Sequence, residues 1–479
     1  MRAALLLSLI LLPLMAAAAP PRLERLAGVP QIRLPAAELK QQIATHKAEP
    51  LRYAVGHALA LDERNGVWDE AAPGIARWRL RLSSEGARSL SLHLKDLQLP
   101  NGAQLWLAGA DGQDLQGPFT AAAVRSGELW LPIVRASEAV LEVQLPTASQ
   151  TALRLKLVEA FHGYRSLTAA GSPGKAGPGG SESGACNLNV ACPAGNDWRP
   201  EIRATVYLAT PESLCSGSLV NNTRLDERPL ILTANHCGIR SINVASLTAY
   251  FNLQSSTCSS NDRGRVDQNL AGASVLARDS NSDFTLLTLA GPVPASFNAL
   301  YAGWDARSTA TPQSGVTIHH PSGDEKKISV YSRSASKVDD EPIGSGPGGF
   351  TVDAWQVQWT QGTTEGGSSG SPLWNQDHRV VGVLSGGGAS CADPTAPDFF
   401  ARLERGWNGG GTSATRLRDH LDPVSSGALC LDSKEPGATS ASTSCASGGL
   451  GGSGGSGGGA FGALLLLLPA LWRRRPARR

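Results

Sequence analysis

A chain of 479 residues is longer than one ordinary hydrophobic core can use, so two domains plus processing segments are expected. Its 43 Lys and Arg nearly cancel 41 Asp and Glu, and the net charge of +2 leaves no electrostatic case for nucleic acid as a partner. All eight cysteines lie at or beyond Cys186, so any disulfide framework belongs to the C-terminal part.

Taken in chain order, Met1-Arg2, the apolar run Ala3 to Met15 and the small residues Ala16 to Ala19 read as a secretory signal peptide over residues 1–19. The run is shorter than the roughly 20 residues that a membrane-spanning helix needs. Export makes the even cysteine count a disulfide set, and the absence of a CxxC pair argues against zinc. Residues 20–166 alternate apolar and polar positions, as in Trp78-Arg79-Leu80-Arg81-Leu82 and Val140-Leu141-Glu142-Val143-Gln144-Leu145, which predicts antiparallel strands in a β-sandwich. Leu34 to Thr45 is read as a short helix. Residues 167–184 are rich in Gly, Ala, Ser and Pro and read as an exposed linker.

From 185 to 431 short strands again alternate with turns. Candidates are Ala204–Leu208, Leu230–Thr233, Leu247–Leu253, Phe284–Leu289, Val316–His319, Lys327–Tyr331, Trp355–Trp359, Val380–Leu384 and Phe399–Leu403, with a closing helix over Thr415 to Leu421. This predicts an all-β, two-barrel domain. Residues 432–459 form a Gly/Ser-rich spacer, and 460–479 an apolar run ending in Arg473 to Arg479. That ending resembles the GlyGly C-terminal sorting segments of Gram-negative secreted proteins, which rhombosortase-type intramembrane proteases process; an ordinary C-terminal anchor is the alternative.

Three segments carry chemistry. Thr233-Ala234-Asn235-His236-Cys237 closes an apolar run, Asn281-Ser282-Asp283-Phe284 opens another, and Gly366-Gly367-Ser368-Ser369-Gly370-Ser371-Pro372 is a tight glycine-flanked turn. Any one of them is common turn or strand-end chemistry. Together they give His, Asp and Ser in the chain order of chymotrypsin-like triads. A serine hydroxyl needs a base to take its proton and hand it to the leaving amine. His236 is that base, Asp283 fixes its tautomer, and Ser369 attacks. The N–H groups of Gly367 and Ser369 form an oxyanion hole, each worth roughly 3 kcal/mol of transition-state stabilisation. His319-His320 has the wrong spacing for two ligands on one helix face and reads as structural; no metal and no cofactor are implied.

The region 185–431 resembles the lysyl endopeptidases, secreted bacterial serine proteases of the chymotrypsin fold. The resemblance rests on Ser218-Leu219-Val220-Asn221-Asn222-Thr223, Leu232 to Cys237, Ser282 to Leu287, Ala302-Gly303-Trp304-Asp305, Ile318-His319-His320-Pro321, Val357-Gln358-Trp359, the Ser369 turn, and Gly409 to Gly411 with Leu421-Asp422-Pro423. It implies the same triad, His236, Asp283 and Ser369. It also implies that Asp398 is a buried acid receiving the substrate ammonium, so that cleavage follows Lys and extends to Arg. Thr363 stands where trypsin keeps its acid. The implied disulfides are Cys186 to Cys391, Cys192 to Cys258 and Cys215 to Cys237, each worth about 3 kcal/mol. Cys430 and Cys445 are left over.

Three departures stand out. Ser385 replaces a histidine of the family, no tryptophan occurs around Gly344 to Gly349, and Ser368 replaces the acid that receives a new N-terminus in trypsin-like zymogens. The last makes residues 20–166 the expected propeptide, cut away after Lys175. The enzyme is then expected to be monomeric, secreted or attached to the surface of a Gram-negative bacterium. Its expected partners are protein or peptide substrates, the secretion machinery and a tail-processing intramembrane protease. The competing reading is a surface-attached β-sandwich binding protein with an inactive protease-like domain.

Overall fold

In the computed structural model the described residues are 26–35, 51–165, 183–259, 262–344 and 348–441. The predicted signal segment 1–19, Lys175, Cys445, the predicted sorting tail 460–479 and most of the predicted linker and of the predicted helix Leu34 to Thr45 lie outside them.

The N-terminal alternation builds two facing sheets. One runs in the order Gln31–Arg33, Ile75–Ser83, Glu138–Pro146, Gln104–Gly109, Gln116–Phe119, with Val67–Ala72 paired on Ile75–Ser83; the other runs Ala54–Asp62, Arg154–Gly163, Ser89–Gln98, Leu129–Val134. Alternate residues of each face point inward, so Trp78, Leu80 and Leu82 meet Leu90, Leu92 and Leu94 in a dry core, as a sandwich requires.

The C-terminal region is two antiparallel barrels. The first contains Asn269–Ala271, Thr248–Tyr250, Thr205–Ala209, Ser213–Val220, Leu230–Ala234, Phe284–Leu289 and Ala273–Asp279 in that order. Its core holds Val206, Leu219, Ile231, Phe251 and Leu287. The second is built on Lys327–Tyr331, Gly315–His319, Pro372–Asn375, Val380–Gly387, Asp398–Arg402, Phe350–Val357 and Ser336–Ile343, around Tyr331, Trp355, Trp359 and Phe400. Leu51–Arg52, from the N-terminal part, adds a strand to Ser213–Val220.

Some elements depart from the sequence reading. The closing helix is only Arg418–Leu421, and a helix at Leu403–Asn408 follows directly on the strand Asp398–Arg402. Ser213–Val220 is buried along nearly its whole length, so its small and polar residues show no alternation. Ser336–Ile343 is mostly exposed and rich in charge, with little apolar signal to reveal it. Cys186 is bonded to Cys391, Cys192 to Cys258 and Cys215 to Cys237. Among the described residues no helix is long and apolar enough to cross a membrane.

Candidate active site

His236 leaves the end of Leu230–Ala234, and Asp283 immediately precedes Phe284–Leu289; the two strands are antiparallel neighbours, with Ala234 opposite Phe284. That register brings the two side chains together. The His236 Nδ1 lies 2.9 Å from Asp283 Oδ2, and the His236 backbone N–H donates to Asp283 Oδ1 at 2.9 Å. Asp283 is buried and sits at φ +41°, a left-handed conformation that bends the chain ahead of the strand. Ser385 Oγ donates to Asp283 Oδ2 at 2.6 Å. Ser385, met in the sequence only as a departure, thus becomes part of the site.

Ser369 approaches the same corner from the second barrel. Its carbonyl accepts from Ser216 N–H at 2.8 Å and lies 3.7 Å from Cys237 Sγ, while Gly370 N–H donates to Leu384 carbonyl at 2.9 Å. The turn is therefore sewn to both barrels. Gly367 takes φ +93°, where a Cβ would come within 2.9 Å of His320 carbonyl, so only glycine fits without strain. Among the described residues the N–H groups of Gly367 and Ser369 have no backbone acceptor.

The turn is also braced from beneath. Ser368 is fully buried, and its Oγ lies 2.7 Å from His319 Nδ1, whose Nε2 is 3.1 Å from Ser329 Oγ. Ser329 in turn donates to Thr363 carbonyl at 2.6 Å. Burial, with the nearby Lys327 charge, pushes the His319 pKa down to about 3 and keeps the ring neutral. His320 packs edge-on against Tyr207, with ring centroids 5.1 Å apart, and its Nδ1 lies 3.0 Å from Asp324 carbonyl. Phe350 lies over His236 with centroids 5.5 Å apart at 23°, an aromatic cover supplied without the family's tryptophan.

Asp398 begins the strand after Val380–Gly387. Its Oδ2 accepts from Trp359 Nε1 and from Thr364 Oγ1, both at 2.7 Å, and its Oδ1 from Ala389 N–H at 3.2 Å. Burial raises its pKa, against the pull of those three hydrogen bonds. Among the described residues no cation pairs with it. A Cβ on Gly387 would fall 2.1 Å from Asp398 Oδ1, so that glycine keeps space beside the carboxylate. Trp359 stands in the Val357-Gln358-Trp359 stretch of the family resemblance, which assigns it no role, and no local pattern singles out Thr364.

Two family models and one relative point to the same family. A family model described as the lysyl endopeptidase N-terminal domain matches residues 27–162, and one described as the lysyl endopeptidase C-terminal domain matches 180–401. A lysyl endopeptidase of Pseudomonas aeruginosa is 28% identical over 386 residues, covering 75% of this chain and 80% of that protein. Crystal structures of the Rv3671c protease from M. tuberculosis, active and inactive, share 19% and 18% identity over 44% of this chain and 81% and 87% of theirs. Both have a TM-score of 0.30, too low a likeness to add to the topology above. The chain belongs to the lysyl endopeptidase family and is a serine endopeptidase.

Proposed function

We propose that this endopeptidase cleaves peptide bonds on the carboxyl side of lysine, and more weakly of arginine, through a Ser369 acyl-enzyme. His236 takes the Ser369 Oγ proton as Oγ bonds to the carbonyl carbon, and Asp283 steadies the imidazolium. The oxyanion is received by Gly367 and Ser369 N–H. The C–N bond then breaks, the amine leaves with the proton from His236, and water repeats the sequence in reverse to free the acid.

The observation that carries this reading is the hydrogen-bonded pair of His236 and Asp283, in the corner against which the Ser369 backbone is tied. The preference for lysine draws support from the acceptor count at Asp398. A carboxylate offers about four lone-pair sites, and three are occupied. One ammonium needs one; the guanidinium fork is best served by two.

The chain is made as a preproprotein, with residues 1–19 removed on export and 20–166 released after cleavage at Lys175. The C-terminal segment serves sorting. Labelling of the purified secreted protein with a fluorophosphonate, and assays on Lys, Arg and Glu amides with Ser369→Ala as control, test the reading. Absence of labelling would refute the mechanism, and cleavage after Glu would refute the role of Asp398. A mature N-terminus other than Ala176 would remove Lys175 as the processing site.

A further inference from the structure

The N-terminal domain reaches the active-site cleft itself. Leu51–Arg52 lies antiparallel to Ser213–Leu214, with Leu51 opposite Leu214 and Arg52 opposite Ser213. The Leu51 side chain is buried against the Ser369 turn: a Cβ built on Gly367 would come within 2.9 Å of its Cδ2, and one on Gly366 within 3.6 Å of its Cδ1. One residue on, the Arg52 guanidinium pairs with Glu212. The backbone continues the match, since Tyr53 N–H donates to Glu212 carbonyl at 2.9 Å and Gly56 N–H to Glu212 Oε1 at 3.2 Å.

This edge lies on a defined side of the nucleophile. Asp398 and the strand Val380–Gly387 belong to the second barrel, while Ser213–Leu214 and the Cys215–Cys237 bridge belong to the first. Ser369 is tied between them through Ser216 on one side and Leu384 on the other. A substrate whose basic side chain pairs with Asp398 therefore sends its following residues, those of the leaving amine, over Ser213–Leu214. An open strand edge takes an extended peptide by main-chain pairing, with side-chain sites supplying the choice.

We propose that Glu212 is a specificity-determining residue for the leaving side of the substrate, selecting an apolar residue followed by a basic one, and that Leu51–Arg52 occupies this subsite as a substitute for such a substrate. Glu212 is suited to the task. Its carboxylate is about a third exposed, so it meets a guanidinium arriving from water without the full cost of burial. Leu51 defines the apolar site by its own fit against Gly366, Gly367 and Leu214.

The proposal rests on the endopeptidase reading and fails separately from it. The test is a series of quenched-fluorescence peptides with one lysine, followed at a distance of one, two or three residues by Leu-Arg, Leu-Glu or Glu-Arg, cleaved by the purified secreted enzyme. In one register Leu-Arg exceeds Leu-Glu by about five- to tenfold in kcat/KM, and the excess shrinks as salt rises. Leu-Arg also exceeds Glu-Arg there. Glu212→Gln brings the Arg-to-Glu ratio close to one; because each ratio is internal to one preparation, a lower folding yield cancels. A wild-type ratio near one in every register overturns the proposal, as does a ratio that Glu212→Gln leaves unchanged. If the variant is not secreted, the wild-type ratio and its salt dependence decide. A preparation that cleaves no peptide and takes no fluorophosphonate brings down both readings.

Discussion

Two carboxylates of the catalytic region, Asp283 and Asp398, are equally hidden, each 1% exposed, yet they are furnished in opposite ways. Asp283 meets a titratable base, His236, and one hydroxyl, Ser385. Among the described residues Asp398 meets only neutral donors: an indole, a hydroxyl and a backbone N–H. A buried carboxylate held by neutral donors is still short of a counter-charge, which is why burial lifts its pKa in spite of three hydrogen bonds. On the proposed function, the same residue type serves as an orienter where its complement is built in, and as a selector where the complement must arrive with the substrate.

The largest effect that tests this contrast is on the Asp283 side. Asp283→Asn keeps the shape but favours the wrong histidine tautomer, and kcat should fall by about 10⁴ in single-turnover assays while KM changes little. Asp398→Asn should lose about a thousandfold in kcat/KM on lysine amides, because an ammonium is then buried without a partner. Amides with a neutral side chain of similar length should lose far less. An equal loss on both would make Asp398 structural and erase the distinction.

Ser385→Ala removes one hydrogen bond to a charged group and should lower kcat about tenfold, with the lysine preference intact. The pH dependence is subtler. Protonating Asp398 abolishes its pull on an ammonium, and its raised pKa means that discrimination between lysine and neutral amides fades, as acid is added, before an ordinary carboxylate near 3.9 would titrate. The ratio of the two kcat/KM values against pH measures this.

A last test concerns the brace beneath the turn. Between about 3 and about 6.5 the unfolded chain protonates His319 while the folded chain refuses the proton, so stability is gained as pH rises through that window and lost on acidification. Melting of the inactive Ser369→Ala chain should fall across that range, and His319→Gln should flatten part of the fall.

Strands with alternating or strongly apolar sequence, such as Ile75–Ser83 and Phe284–Leu289, were legible because burial on one face or two leaves a periodic trace. Ser213–Val220 was not, since a strand packed with Ser, Gly and Cys carries no such trace. The site divides in the same way. His236, Asp283 and Ser369 stand in motifs with a chain order and Asp398 is reached through the family resemblance, whereas Phe350 and Ser385 touch His236 and Asp283 from the other barrel, and Trp359 and Thr364 touch Asp398. Long-range juxtaposition leaves no local pattern. Ser385 illustrates the gap: the sequence shows a lost histidine, and only the fold shows a hydroxyl placed on Asp283.

The Cys186–Cys391 bridge joins positions 205 residues apart and reaches the loop whose Ala389 N–H caps Asp398. Cys215–Cys237 joins the residue beside His236 to the strand that holds Ser369 in place. The Asp398 loop and the end of the strand that carries His236 therefore each have a covalent tether of their own, and both tethers close only under oxidising conditions. A chain retained among reducing thiols would lack both fastenings.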